Sequence, residues 1–451
     1  MQELFSLHNS HLENPQKFVE LDPQLRKLKN VAYVYHAPLI DKLPTNTPGI
    51  YTLGGGRQIG KTTLLKQWIL ALLQAGILPN HIVFFTGEII DDHHRLIEIL
   101  QTYLAKTNGS DLHYIIIDEI NYIAGWDKGI KFLADAGLLQ NAIVILTGSD
   151  LALIHHARMT FPGRRGDAAV LDFHYYPLSF YECIKLTDCV PEVDALAAGK
   201  KPLSPSSVLA LTQAFNQYLS HGGFLTAIND QAKHGHITSS CLKTYSDWIR
   251  GDVLKRGKQE RYLKEILSGL IKRYNTQISF NTLAKDLTID HPNTVADYCL
   301  LLETMDAIYI QHAILEDKLL AAPKKAKKII FTDPFIYHAV NAWVSGDTQT
   351  SIENTLSDPI IVANLVENCV VNHFRRAFPT YYIKAEGEVD IAYVKHNIFV
   401  PIEIKWTNQI RPKDLKQILK YTNGAIWSKS EGGHIHGKPI LFLPLELLKL
   451  L

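Results

Sequence analysis

The sequence predicts a mixed α/β chain in three parts: a parallel-sheet domain with an N-terminal extension (1–235), a helical, winged-helix-like part (236–335) and a smaller α/β part (336–451). Three observations carry this. Short continuous apolar runs alternate with helix-like segments over 49–150, the pattern of strands covered on both faces. Helical periodicity takes over beyond Pro202. TYYIKA, VDIAYVK and IFVPIEIK then read as consecutive strands over 380–405, with turns at Glu386-Gly387 and His396-Asn397.

Composition bounds the classes. The 451 residues have room for about two to four domains at ~100–200 residues each. Lys and Arg number 46 against 45 acids, a formal +1 that excludes histone-like and acidic-tail proteins while leaving local patches open. Hydrophobic residues at 46% exclude wholesale disorder. The five cysteines (Cys183, Cys189, Cys241, Cys299, Cys369) form no CxxC pair, which argues against a zinc ribbon and suits a reducing compartment. MQELFSLHNS lacks a basic region followed by an apolar core, and no 18-residue uninterrupted apolar run occurs. The expectation is a soluble, cytoplasmic protein with no membrane partner. His93-His94 and His155-His156 lack partners at metal spacing and read as surface histidines.

In the first part, GIYTL (49–53) runs into Gly54, Gly55 and Gly56, and TTLLKQWILALLQAG (62–76) reads as a helix ending near Gly76. HIVFFT (81–86), YIIID (114–118) and AIVILTGS (142–149) give three more strands, with a polar helix over 93–106 between the first two. Gly55-Gly56-Arg57-Gln58-Ile59-Gly60-Lys61-Thr62 satisfies G-x-x-x-x-G-K-[ST], and Thr63 continues into the helix. Glycines let backbone N–H groups close around phosphates, Lys61 reaches the β/γ-phosphates, and the Thr62 hydroxyl suits Mg²⁺. The helix N-terminus adds its dipole. The implied ligand is ATP with Mg²⁺.

The apolar strand ending in Asp118-Glu119 supplies the second element: Asp118 for the metal's water shell, Glu119 to orient or deprotonate an attacking water. Ser149, after the fourth strand, has two readings: a γ-phosphate sensor, or a helix N-cap for the segment near Leu151. The loop Phe161-Pro162-Gly163-Arg164-Arg165-Gly166 also has two: an arginine finger for a neighbouring subunit, or a plain surface loop.

These residues resemble the AAA-type branch of the P-loop ATPases, and more closely a bacterial and archaeal family that joins such an ATPase to a C-terminal nuclease-like domain. GGRQIGKTTLL, IIIDEI, LTGS, the GRRG loop, YYPLSFYE (175–182) and HGGFLTAI (221–228) carry the resemblance over about 20–230. It implies Asp118 as metal residue, Glu119 as catalytic base, Arg164 as the finger, and self-association into a homo-oligomer. Gly56 departs from the proline frequent in the family.

The middle part has helix–turn–helix form over 279–315. Ser279 and Asp290 are the expected caps, and IYIQHAIL the wing strand. Its second helix offers no arginine or lysine, so direct base reading is doubtful. The basic stretches over 243–273 and 324–328 are the better candidates for phosphate contact with nucleic acid, DNA first, or else are solvated faces.

In the last part, Gly387-Glu388-Val389-Asp390 followed by Ile402-Glu403-Ile404-Lys405 matches the PD-(D/E)XK pattern of restriction-endonuclease-like folds. Glu403 and Lys405 share a strand face, and Asp390 lies on the adjacent strand. Asp390, Glu403 and Glu367, the last on a preceding helix, are candidate ligands for Mg²⁺ or Mn²⁺. Lys405 is the candidate for positioning the attacking water. A β-meander with exposed charges is the other reading. PKDLKQILKYT (412–422) is expected to be a helix.

Overall fold

The computed structural model describes residues 8–106, 111–149, 151–346, 351–407, 409–430 and 432–450. The start of the segment read as no leader, MQELFSL, lies outside them. The chain forms two compact units, which part between Tyr176 and Pro177. No helix among the described residues is long and apolar enough to cross a membrane.

In the first unit, β1 (Gly49–Gly54), β2 (Ile82–Thr86), β3 (His113–Asp118), β4 (Ala142–Thr147) and β5 (Asp172–His174) form a parallel sheet in the order β2-β3-β4-β1-β5. All of β1, β3 and β4 is buried, as their unbroken apolar runs require. Setting β4 between β1 and β3 brings the tip of β4 between the phosphate loop and Asp118. The short β5 and the Trp126–Asp135 helix were not anticipated. β5 is held through Asp172, which accepts from Thr52 at 2.6 Å and Arg158 at 2.7 Å. The N-terminal extension caps the open edge of β2: Asn9 donates to the Phe84 carbonyl at 2.8 Å and accepts from the Phe84 N–H at 2.7 Å. One side chain thus replaces a neighbouring strand.

The second unit begins earlier than the 235 boundary read from the sequence, because residues 177–235 pack into it. Phe180 N donates to His373 Nε2 at 2.9 Å, and the Tyr218 hydroxyl to the Leu178 carbonyl at 2.7 Å. The HGGF segment has a backbone reason. Gly222 sits at φ 57°, where an added Cβ would lie 1.6 Å from Asp333 Oδ1. Asp333 in turn accepts from Gly223 N and Phe335 N, both at 2.8 Å. Gly222→Ala combines a glycine-only conformation with that collision. It should destabilise the unit by about 1–3 kcal/mol or more, read as a lowered urea midpoint with unchanged slope.

Helices Phe280–Asp286 and Pro292–Thr304 pack together ahead of the antiparallel pair β6 (Ile308–His312) and β9 (Lys327–Phe331); the two-residue β7 (Ile314–Leu315) and β8 (Leu320–Ala321) pair between them. Ser279 caps the first helix, accepting from Thr282 N at 3.0 Å. The expected cap at Asp290 does not form. His291 holds that position without a side-chain bond, since Pro292 is the first helical residue.

A six-stranded sheet follows, in the order β10 (Thr380–Lys384), β11 (Glu388–Lys395), β12 (Ile398–Lys405), β13 (Ala425–Ser428), β15 (Lys438–Phe442), β14 (His434–Ile435). His396 and Asn397 both have positive φ, the tight turn that joins β11 to β12 in register. The helix expected over 412–422 is instead two short 3-10 turns, Pro412–Leu415 and Ile418–Lys420. Leu415 and Ile418 are both fully buried, and a spacing of three fits the three-residue turn.

Candidate functional site

The phosphate loop leaves β1 through Gly55, whose added Cβ would meet the Tyr175 carbonyl at 2.5 Å. It enters the Lys61–Gln74 helix at Gly60, φ 102°. The sharp reversal leaves the helix's first N–H groups facing the loop. Lys61 Nζ donates to the carbonyls of Gly55 and Gly56, both at 2.9 Å. Arg57 reaches the Tyr122 hydroxyl at 3.5 Å, and Gln58 takes a positive φ of 62° within the loop. Thr62 donates to Asp118 Oδ2 at 2.6 Å.

Thr147, at the tip of β4, donates to the other oxygen of Asp118 and accepts from Glu119 N at 3.0 Å. Both carboxylate oxygens are therefore oriented. Sequence reasoning named the TGS segment but chose Ser149. The residue that fixes Asp118 is Thr147, and the strand order β3-β4-β1 was the signal that could have found it. Ser149 is not a helix cap: the next helix starts at Ala152 with Leu151 at its cap position, and the Ser149 side chain acts on the Glu119 carboxyl, pulling its pKa down.

Glu119 adopts a left-handed backbone (φ 52°, ψ 47°). Gly87 makes this fit, since a Cβ there would stand 2.3 Å from the Glu119 carbonyl oxygen. Burial raises the Glu119 carboxyl above the usual range, against the pull of Lys61, and its Oε2 is buried without a hydrogen-bond partner. An unmatched buried carboxylate oxygen beside the phosphate loop suits a bound water. Thr62 and Asp118 give the hard oxygen donors that Mg²⁺ takes.

The two arginines separate. Arg165 is a brace, donating to the carbonyls of Ile50 and Leu171 and to Asp172 at 2.6 Å. Arg164 stands partly exposed and paired with Asp135 at 2.5 Å.

In the second unit, β11 and β12 bring the acids together. The register pairs Ile391 with Ile402, and Asp390 and Glu403 lie one residue beyond. Asp390 Oδ2 accepts from Ile404 N at 2.8 Å, and Glu403 Oε1 from Lys405 Nζ at 2.5 Å. Glu367 comes in from the Pro359–Phe374 helix. Oxygens of Glu367, Glu388 and Asp390 lie within 4.8 Å of one another, a grouping able to hold a metal ion. Glu388 was missed as a ligand, though it shares a strand face with Asp390 two residues on. Burial and the neighbouring Asp390 lift the Glu367 carboxyl to about 7, and the same two causes hold Glu403 well above the usual range. Three carboxylate oxygens at that spacing are the hard donors a divalent ion takes. Glu403, the other predicted ligand, stands outside that grouping, and its Oε2 is buried without a hydrogen-bond partner.

Lys328, in the basic stretch 324–328 expected to contact phosphate, is instead 2% exposed, and its ammonium lies among these acids. Every residue of β9 from Lys328 to Phe331 is buried, so Lys328 enters the interior with the strand while Lys324 and Lys325 stay exposed ahead of it.

Comparison with known proteins agrees with the first unit's architecture. A family model described as an AAA domain matches residues 47–184, so this segment is an AAA-type P-loop domain. A model for a domain of unknown function, DUF8612, matches 212–347. An uncharacterized protein of Haemophilus influenzae is 23% identical over 276 residues, covering 58% of this chain and 62% of its own length. One of Methanocaldococcus jannaschii is 28% identical over 204 residues, covering 40% and 41%. The chain thus spans less than two thirds of either relative. Among solved structures, the Walker-type ATPase of Pyrococcus abyssi aligns at TM-score 0.42 and 14% identity, over 70% of this chain and 94% of that one. The ORC1 protein of Aeropyrum pernix, solved in complex with DNA, aligns at TM-score 0.32 and 12% identity, over 79% and 97%.

Proposed function

We propose that this chain is a Mg²⁺-dependent ATPase whose turnover controls a C-terminal, metal-dependent nuclease-like site acting on nucleic acid, DNA first. The observation that carries the ATPase reading is the joined set Lys61, Thr62, Asp118, Thr147 and Glu119 on three adjacent elements. Lys61 exchanges two loop carbonyls for the β/γ-phosphate oxygens of ATP. Gly55, Gly56, Arg57, Gln58, Ile59, Gly60 and Thr63 shape the loop and helix start around the phosphates. Glu119 Oε2 takes a proton from the attacking water as its oxygen bonds to the γ-phosphorus and ADP leaves, while Ser149 steadies the same carboxylate. Bound at Thr62 and Asp118, Mg²⁺ would neutralise charge on the phosphates. Arg164 acts as a finger on a neighbouring copy's nucleotide by exchanging Asp135 for phosphate, which makes a homo-oligomer the working form.

In the second unit, Asp390, Glu403 and Glu367, with Glu388, would hold Mg²⁺ or Mn²⁺, and Lys405 directs a water at the phosphodiester. The exposed lysines before Lys328 and the paired helices with their antiparallel strands support nucleic acid as the partner. A second reading, an ATP-switched regulator whose C-terminal part only binds, is favoured by one observation: an ammonium already lies among the acids.

Incubation with linear, circular and single-stranded DNA, with Mg²⁺ or Mn²⁺ and with or without ATP, tests the pair. Cut products should vanish in Asp390→Ala, and their ATP dependence in Lys61→Ala. DNA retention without cutting under any metal would move the conclusion to the regulator.

A further inference from the structure

The acid cluster holds a cation of the protein's own. Lys328 Nζ lies 2.7 Å from Glu367 Oε1 and 3.8 Å from Asp390 Oδ1, and it pairs with Glu388. It comes from β9, outside the helix and strands that supply the acids. The ring of Tyr382, 5.6 Å from the ammonium, flanks it. The three carboxylates it touches are the ones whose oxygens cluster within 4.8 Å. Among the described residues the ammonium groups paired with these acids are Lys328, with Glu367, Glu388 and Asp390, and Lys405, with Glu403; Gln277 also donates to Glu388, and Glu403, 4% exposed, keeps Oε2 without a hydrogen-bond partner. A buried carboxylate oxygen with no donor is costly. Four carboxyl groups thus meet two lysines, and the balance is made by protons, as the raised Glu367 and Glu403 carboxyls indicate, or by a further cation.

We propose that Lys328 is an internal gate cation: it occupies the space a divalent ion needs among Glu367, Glu388 and Asp390, so the C-terminal site loads metal only when that ammonium withdraws. The inference rests on the reading of this cluster as a divalent-metal site. Size supports exclusion. Ammonium–carboxylate contacts run about 2.7–2.9 Å, whereas Mg²⁺ draws oxygens to about 2.0–2.1 Å and demands octahedral order. One cage cannot serve both at once. Leverage lies in the chain: 323–325 are exposed just ahead of β9, and Lys325 reaches the Lys384 carbonyl at the end of β10 at 3.0 Å. A polyanion that recruits Lys324 and Lys325 pulls on the strand that carries the plug, which would couple substrate arrival to metal loading.

Mn²⁺ binding by the full chain without nucleotide, followed by the electron paramagnetic signal of the free ion, tests this. Lys328→Met should bind Mn²⁺ at least tenfold more tightly than wild type, and the added Asp390→Asn should erase the gain. Equal affinity in wild type and Lys328→Met, with the site lost in Asp390→Asn, would overturn the gate and leave the metal reading standing. No Asp390-dependent binding in any folded variant would remove the metal reading and the gate with it. If Lys328→Met does not fold, reductive methylation of the wild type, resolved at Lys328 by mass spectrometry, decides. Labelling should rise with Mn²⁺ and stay flat in Asp390→Asn; labelling unchanged by Mn²⁺ overturns the proposal.

Discussion

Glu119→Gln is expected to lower ATP turnover by about 10²–10⁴-fold, the range for removing a positioned general base, while nucleotide affinity stays within a few-fold. The substitution keeps the shape of the side chain and the contact with Ser149, and removes only the capacity to take a proton. Lys61, Thr62 and Asp118, which hold the triphosphate and its metal, are untouched. Turnover measured by phosphate release, and affinity by a fluorescent ATP analogue, separate the two effects. A variant with more than a tenth of wild-type turnover would show that Glu119 is a bystander in a strained turn. The left-handed backbone at Glu119 and the bare Cα of Gly87 against its carbonyl argue otherwise, since strain of about 1–3 kcal/mol persists only where the surroundings impose it.

What could be read beforehand and what could not follow from the range of the interactions. The phosphate loop, the Asp118-Glu119 strand end and the Asp390, Glu403, Lys405 pattern are encoded in short windows, where strand alternation and glycine spacing fix which side chains face together. Thr147 gains its meaning only from strand order. β4 lies between β1 and β3, and nothing local to LTGS says so. Lys328 is the opposite failure: a run of lysines reads as solvated, and the β6–β9 pairing, with Tyr382 of β10 beside the ammonium, sets one of them inside. The 3-10 turns over 412–420 were missed because Leu415 and Ile418 satisfy both a helical and a three-residue spacing. Sequence patterning resolves faces, and it does not resolve which distant element covers them.

A second large effect is expected far from either reaction. Asp22→Ala should destabilise the first unit by about 3–5 kcal/mol, the cost of stranding one partner of a buried ion pair. Asp22 uses one oxygen to cap the Pro23–Lys27 helix, accepting from Gln24 N at 2.9 Å and Leu25 N at 3.1 Å. Its other oxygen stands 3.2 Å from Lys66 Nζ, with both side chains 1% exposed. Lys66 projects from the helix that begins at the phosphate loop, donates to the His8 carbonyl at 2.5 Å and lies 3.7 Å above the Phe84 ring. Burial already depresses the pKa of Lys66 against the support of Asp22. Without Asp22, the ammonium must either lose its proton or open the interface between the N-terminal extension and β2. Asp22→Asn combined with Lys66→Met should recover most of the loss, because asparagine keeps an oxygen for the cap and no orphaned charge remains. Urea unfolding of the single and double variants gives the coupling directly. A single-variant cost below about 1 kcal/mol, in the range of exposed pairs, would mean that water reaches Lys66 and that the extension is not sealed onto the sheet edge.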